Sequence, residues 1–303
     1  MFKKKIKNIY FKFFNKIIFL IGCIGLRRLR NTYKNITSLE DAELKIFSQG
    51  GDDGIIDYLL FSLNIKKPKF VEIGIQNYTE SNTKFLYDRT SAKGLIIDIE
   101  QNLTEKVKMY TNIWKGDLKI LEREINSDNI NSILYENNFS KELDLFSIDI
   151  DGVDYWVINE LNQDFSKIVV CEYNSVFGAD LKITVPNLKK FNRTNYHYSN
   201  LCFGASLKAL IELLASKNFI FLGCNLLRNN AYFISKKYSK KIHLNFPDLE
   251  NISMYTDSNL RESRKKNNRL NYLSGRKKIE EIYNCEVFDL ASKKIKKIKE
   301  LFI

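Results

Sequence analysis

Residues 143–152, Leu-Asp-Leu-Phe-Ser-Ile-Asp-Ile-Asp-Gly, end an apolar run on two carboxylates, Asp149 and Asp151, followed by a glycine. A similar run, Lys167-Ile-Val-Val-Cys-Glu-Tyr-Asn174, stops on Glu172 and Asn174. Two more, Phe70-Val-Glu-Ile-Gly74 and Gly94-Leu-Ile-Ile-Asp-Ile-Glu100, carry Glu72, Gly74, Asp98 and Glu100 at their ends. Oxygen donors gathered this way suit a divalent cation or the hydroxyls of a ribose. An apolar run that stops on acids reads as a buried parallel strand. It delivers polar groups to the carboxyl edge of a sheet, where open α/β sheets bind ligands. Four such ends predict one crevice.

The spacings assign separate tasks. Asp98 and Glu100 fall 24 and 26 residues beyond Gly74, near the separation at which a carboxylate receives ribose hydroxyls in a dinucleotide fold. The full G-x-G-x-x-G is missing, since Gln76, Asn77 and Tyr78 follow Gly74. Trp114-Lys-Gly-Asp117 follows a weak strand expected around Asn112–Trp114 and would set Asp117 near an adenine. Glu172 and Asn174 are two residues apart and so project to one side of a strand. With Asp149 they form a candidate ligand set for Mg²⁺ or a similar ion. Asp149 and Asp151 are also candidate catalytic carboxylates; otherwise Asp149 positions an amino group and Asp151 caps the next helix. His197, one of two histidines, is the natural general base near neutral pH, or else a surface loop residue. Arg193 suits an anionic group on a substrate, and Tyr173 is a second candidate substrate contact. Tyr155 and Trp156 read as core or pocket wall.

A repeated βα pattern must position these groups. Helices are expected from Ser38, over Asp52–Leu63, over Asn82–Arg89, over Tyr155–Leu161 and over Ala205–Lys217. Strands are expected at Phe70–Ile73, Leu95–Ile99, Asp144–Ile148 and Ile168–Glu172. A hairpin over 219–235 turns on Leu-Leu-Arg-Asn. Residues 175–203 read as a loop excursion, and helices are expected near Lys277–Tyr283 and over Leu290–Leu301.

The 303 residues allow one large domain with appendages, and 3 Pro and 13 Gly argue against long structureless linkers. A net charge of +12 favours a polyanion or an anionic membrane surface as partner, although a Lys-, Asn- and Ile-rich composition of this kind also follows from AT-rich coding. The bases cluster at the two ends, so nucleic acid is not the expected partner. Five cysteines, with no Cys-x-x-Cys, fit a reducing, cytoplasmic setting and neither a disulfide framework nor a zinc site. Near the amino end the longest uncharged run, Ile17–Leu26, has ten residues, short of the ~18–20 that cross a bilayer. The segment is therefore either a basic helix lying on the inner membrane surface or a helix packed on the domain.

From about Ser48 to Ser235 the chain resembles the S-adenosylmethionine-dependent class I methyltransferases, and within them the FkbM-like branch. The resemblance lies in Ser48-Gln-Gly-Gly-Asp-Asp-Gly54, Val71-Glu-Ile-Gly74, Glu80-Ser-Asn-Thr83, Gly94-Leu-Ile-Ile-Asp98, Ser147-Ile-Asp-Ile-Asp-Gly-Val-Asp-Tyr-Trp156, Glu172-Tyr-Asn174 and Gly204-Ala-Ser-Leu207. It implies an α/β, Rossmann-like, seven-stranded, mostly parallel sheet ending in an antiparallel hairpin. It also implies that Glu72 and Gly74 hold the cofactor's amino-acid end, Asp98 its ribose and Asp117 its adenine. A looser similarity to catechol-type O-methyltransferases implies the cation at Asp149, Glu172 and Asn174. The expected organisation is a basic amino-terminal segment (1–45), a methyltransferase domain (46–238) and a basic, partly helical carboxyl-terminal appendage (239–303). The expected activity is O-methylation of a sugar or other small hydroxyl acceptor in surface-glycan biosynthesis. The alternatives are a non-catalytic nucleotide- or partner-binding module docked on membrane, and an RNA methyltransferase.

Overall fold

The computed structural model describes residues 2–258 and 263–302, with side chains from Phe13 onward. Strands β1 (Lys69–Ile73), β2 (Lys93–Asp98), β3 (Asp117–Glu122), β4 (Leu143–Ile148) and β5 (Ser166–Glu172) are parallel, in the spatial order 3-2-1-4-5. After a short strand β6 (Ile183–Thr184), the hairpin of β7 (Phe219–Cys224) and β8 (Asn230–Ser235) completes the sheet. β8 inserts between β5 and β7 and is antiparallel to both. The chain is thus a Rossmann-like, mostly parallel seven-stranded sheet with a terminal antiparallel hairpin.

Helices α1 (Phe2–Arg30), α2 (Asp52–Ser62), α3 (Lys84–Thr90), α4 (Leu103–Tyr110), α5 (Ile130–Glu136), α6 (Asp154–Glu160), α7 (Arg193–Tyr196), α8 (Leu207–Ser216) and α9 (Arg276–Glu281) surround it. Successive strand residues point to opposite faces, so the sheet feeds two cores. Val71, Ile73, Phe146, Ile148 and Val169 pack with α5, α6 and α8 on one face. Phe70, Ile96, Leu145, Ile168 and Val170 pack with α2, α3 and α4 on the other. All six residues of β4 are buried, as a strand covered on both faces requires. α1 lies outside α2 and α3, where Leu26 meets Phe47 and Phe85. Its end is pinned by Asp57, which receives Arg30 Nε at 2.8 Å, Tyr33 Oη at 2.8 Å and Arg89.

Three sequence expectations are corrected. The third strand is not at Asn112–Trp114, which is a 3-10 turn with Trp114 exposed; it begins at Asp117. As an edge strand with Lys119 and Glu122 in it, β3 has a weak apolar signal. The helix expected from Ser38 is one 3-10 turn, Glu40–Ala42. Beyond it the chain runs against the start of α2, so closely that a Cβ on Gly54 would lie 2.2 Å from the Ala42 carbonyl oxygen. The helix expected over Leu290–Leu301 is instead a hairpin, β9 (Glu286–Asp289) with β10 (Lys294–Lys297), followed by a 3-10 turn. β9 pairs with β6, tying the carboxyl-terminal segment to the 175–203 excursion. Ile252, Ile282, Val287 and Ile298 belong to the main core, so this segment is part of the packed body and not an appendage.

Gly74 sits at the end of β1 with φ +85°, where an added Cβ would lie 1.6 Å from the Asp149 carbonyl oxygen. Gly178 has a similar φ of +74° and nothing within 4 Å of its would-be Cβ. The pair separates backbone strain from collision. Gly178→Ala should cost about 1–3 kcal/mol, the backbone penalty of placing alanine at positive φ with ψ −171°, a conformation essentially reserved for glycine. Gly74→Ala should cost more than about 3 kcal/mol, because two strands must part. Urea titration of both variants checks this, and equal losses would contradict the steric argument.

Candidate active site

The strand order reverses between β1 and β4, the place where open α/β sheets bind ligands. A cavity of about 460 Å³ opens there, over the carboxyl ends of β1, β2, β4 and β5. Gly74, Asp98, Asp149, Asp151, Glu172 and Arg193 all line it.

Asp98 closes the β2 side. Its Oδ2 accepts from the Gln76 N–H at 2.6 Å and its Oδ1 from the Glu100 N–H at 2.8 Å. The carboxylate therefore fixes the loop after Gly74, where Gln76 and Tyr78 also have positive φ. Glu72 behaves differently from expectation. Its carboxylate accepts from Ser81 Oγ (2.6 Å), the Asn82 N–H (2.8 Å), the Thr83 N–H (3.0 Å) and Thr83 Oγ1. It is committed to shaping the loop ahead of α3, and burial still pushes its carboxyl above the usual range.

The acidic end of the cavity is built by β4 and β5. Asp149, Asp151 and Glu172 each bring a carboxylate oxygen within 4.8 Å of the others. Asp149 is hydrogen-bonded to Glu172, and its carboxyl is held well above the ordinary value of 3.8. Burial is the main cause, and the neighbouring charges of Asp151 and Asp154 add to it. Like charges this close share a proton more cheaply than they both ionise. Arg193 from α7 answers the cluster: Nη1 donates to Asp151, Nε donates to the Asn200 carbonyl at 2.6 Å, and the guanidinium lies 3.6 Å from the Phe203 ring centroid.

Several expected site residues are elsewhere. Asp117 opens β3 opposite Lys93, at the far edge of the sheet, with which it forms an ion pair at 3.3 Å. Glu100 pairs with Lys106 outside the cavity lining. Asn174 is engaged outside the cavity lining, its Nδ2 donating to the Leu201 and Phe203 carbonyls (2.8 and 2.9 Å) and its Oδ1 accepting from the Val176 N–H. Tyr173 is buried, its hydroxyl donating to the Tyr255 carbonyl, so it is not a wall of the main cavity. His197 holds Ser199 Oγ at 2.7 Å through Nδ1, stacks on Tyr198 and lies outside the cavity lining. No side chain caps α6, so the cap expected of Asp151 is not formed; Asp154, the first residue of the helix, instead closes the preceding loop by accepting from the Ile150 and Gly152 N–H groups at 2.9 and 3.0 Å.

Gln49 and Asn230 are among the polar lining residues that sequence reasoning did not single out. Asn230 stands opposite Glu172 in the β5–β8 ladder. Its Nδ2 donates to Asp52 Oδ1 at 3.0 Å, whereas its buried Oδ1 has no hydrogen-bond partner. Asp52 also receives Asn225 Nδ2 and the Tyr232 hydroxyl, while Asn229 Nδ2 holds Gln49 Oε1 at 3.0 Å. The Ser48–Gly54 sequence thus locks the start of α2 onto the hairpin. No apolar period could have revealed that.

No protein-family model matches the chain. No curated protein matches it either. Among solved structures it is similar to the N-terminal domain of EvdMO1 with SAH bound, at 8% identity over 62% of this chain and 80% of that one, TM-score 0.39. It is similar to a S-adenosylmethionine-dependent methyltransferase from Clostridium acetobutylicum ATCC 824, at 8% identity over 61% and 90%, TM-score 0.39. A third is the methyltransferase domain of bacterial-CtHen1-C, at 9% identity over 61% and 97%, TM-score 0.37. The fold assignment itself rests on the strand order.

The raised carboxyl of Asp149 makes a signed prediction. The folded chain keeps a proton there that the unfolded chain releases near pH 3.8. Stability is therefore lost as pH rises from that value through the folded-state one, since the folded state binds more protons. Asp149→Asn should remove this loss, so its stability relative to the parent should improve between pH 4 and pH 8. Denaturant titrations at both pH values check it, and a pH-independent difference would contradict the shared proton.

Proposed function

We propose that this chain is a S-adenosylmethionine-dependent methyltransferase acting on an oxygen, with a sugar or other small hydroxyl compound of surface-glycan synthesis as acceptor. The observation that carries the reading is the cavity at the β1/β4 reversal, where Gly74 leaves the backbone bare and Asp98 stands at the end of the next strand. The residues present fit the cofactor. Gly74 lines the cavity with backbone alone and admits no Cβ against the Asp149 carbonyl, the cavity is of a size for a nucleoside-bearing ligand, and Asp98 offers acceptors to ribose hydroxyls.

When bound, the cofactor supplies an electrophilic methyl group on sulfur. The chain's own contribution is to orient the acceptor and take its proton. Glu172, hydrogen-bonded to the protonated Asp149, is the proton acceptor in this reading, replacing His197. Asn230 Oδ1 and Glu172 offer acceptors to donor groups of the acceptor molecule, and Arg193 keeps Asp151 turned toward the cluster. A second reading is carried by the three converging carboxylates. They fit one Mg²⁺ or similar cation, which would displace the shared proton and lower the pKa of a bound hydroxyl. The ligand set is then Asp149, Asp151 and Glu172, without Asn174.

Isothermal calorimetry tests the main reading. The parent should bind S-adenosylmethionine. Asp98→Ala should weaken that binding by roughly tenfold or more, from loss of about 1.5–3 kcal/mol of charged hydrogen bonding. Glu100→Ala should leave it unchanged. Absence of binding at millimolar cofactor would instead favour a non-catalytic module. Turnover in excess chelator separates the two chemistries: full activity removes the cation, whereas loss restored by Mg²⁺ and abolished by Glu172→Gln establishes it. Methyl transfer to RNA in place of hydroxyl compounds would overturn the acceptor class.

A further inference from the structure

A helix that is apolar all round is ordinarily buried all round. α1 is buried on one side only. Its inner face carries Phe19, which meets Phe85 edge-on with ring centroids 5.8 Å apart, and Leu26. Gly22 lies so close to the domain that a Cβ there would be 2.7 Å from Ile46 Cγ2. The outer face exposes Phe13, Ile17, Leu20, Ile21 and Ile24, positions that share one side of a helix. No residue of the described chain covers this stripe. Among the described residues no helix is long and apolar enough to cross a membrane.

A second exposed apolar group lies in a turn that touches the helix. Trp114 is 78% exposed in the turn before β3, and Lys115 beside it places Nζ 5.9 Å from the ring centroid of Phe19. An exposed tryptophan thus adjoins the helix. Such amphipathic rings settle at the level of lipid headgroups. The charge chooses the surface: ten Lys or Arg and no Asp or Glu precede Glu40, and Lys16, Arg27 and Arg28 are exposed on α1.

We propose that α1 and Trp114 form a docking face for an anionic lipid bilayer, with the helix lying flat on the surface and its apolar stripe entering the headgroup region. The inner face of the helix is held by the domain, so docking orients the whole enzyme body rather than tethering it loosely. Each base near an anionic surface adds roughly fivefold in affinity at low salt, and the stripe adds a contribution that salt does not screen.

The test uses the full chain with phosphatidylglycerol and phosphatidylcholine vesicles. Binding to phosphatidylglycerol is expected, at least about tenfold tighter than to phosphatidylcholine and weakening with salt. Bromine-labelled phosphatidylglycerol should quench tryptophan emission, and Trp114→Phe should remove most of that quenching. Ile17→Glu/Ile21→Glu should lower vesicle binding roughly tenfold or more, with melting temperature and S-adenosylmethionine affinity unchanged. Arg27→Gln/Arg28→Gln should reduce the salt dependence, and it supplies the answer if the glutamate variant fails to fold. Three results would each overturn the proposal: no vesicle binding, binding indifferent to both variants, or a dimer in sedimentation that dissolves in Ile17→Glu/Ile21→Glu without any vesicle binding. Tighter binding to RNA than to vesicles would likewise assign the bases to nucleic acid.

Discussion

At the carboxyl ends of β1 and β4 two backbones approach until there is no room for a side chain between them. Gly74 turns with positive φ directly against the Asp149 carbonyl, and β1 and β4 remain in register up to that point, with the Asp149 N–H bonded to the Ile73 carbonyl, while the Gly74 N–H bonds to the Ile97 carbonyl of β2. This contact fixes three things together. It sets where the chain leaves β1 for the loop that Asp98 holds, it sets where Asp149 emerges from β4, and it leaves the cavity floor as bare backbone. Only glycine meets these demands, because any Cβ would strike the Asp149 carbonyl and part the strands.

The acids around this floor are divided by environment into supports and reactive groups. Glu72 and Asp154 are saturated by hydrogen bonds from their own loops, Glu72 before α3 and Asp154 before α6. Burial raises Asp154 to about 6, but its backbone donors commit it to closing the loop between β4 and α6. Asp149 faces Glu172 and Asp151 instead, and the cluster relieves its repulsion by retaining a proton. Asp52, far from the strand ends in sequence, stabilises this arrangement from behind. It ties Tyr232 and Asn230 of the hairpin to the start of α2, so the wall opposite Glu172 is rigid.

Sequence patterning reached the fold wherever burial was complete. β1, β2, β4, β5 and the β7–β8 hairpin all carry continuous apolar runs, and α3, α6 and α8 fall where expected. It failed at β3, where the partly exposed edge strand is rich in charge. That displacement moved Asp117 from the ligand edge to the opposite one. It failed again at β9 and β10, where the partner strand β6 lies about a hundred residues earlier in the chain. At the site, the acids terminating strands were legible because strand direction alone delivers them. Asn174 was not, since the chain leaves the strand after Glu172 and turns at once into a 3-10 helix that uses up its amide. His197 and Arg193 share one loop, yet only the arginine reaches the cavity. Loop tertiary structure decides that, not residue type.

The account depends on Gly74 and Asp98 forming the nucleoside side of the cavity, so a crystal structure with S-adenosylhomocysteine tests it most directly. The account predicts density across the β1/β4 cleft, with ribose hydroxyls on Asp98 and the chain of the ligand passing over Gly74 toward Asp149. An empty cleft at saturating ligand, or ligand bound away from Gly74, would contradict it.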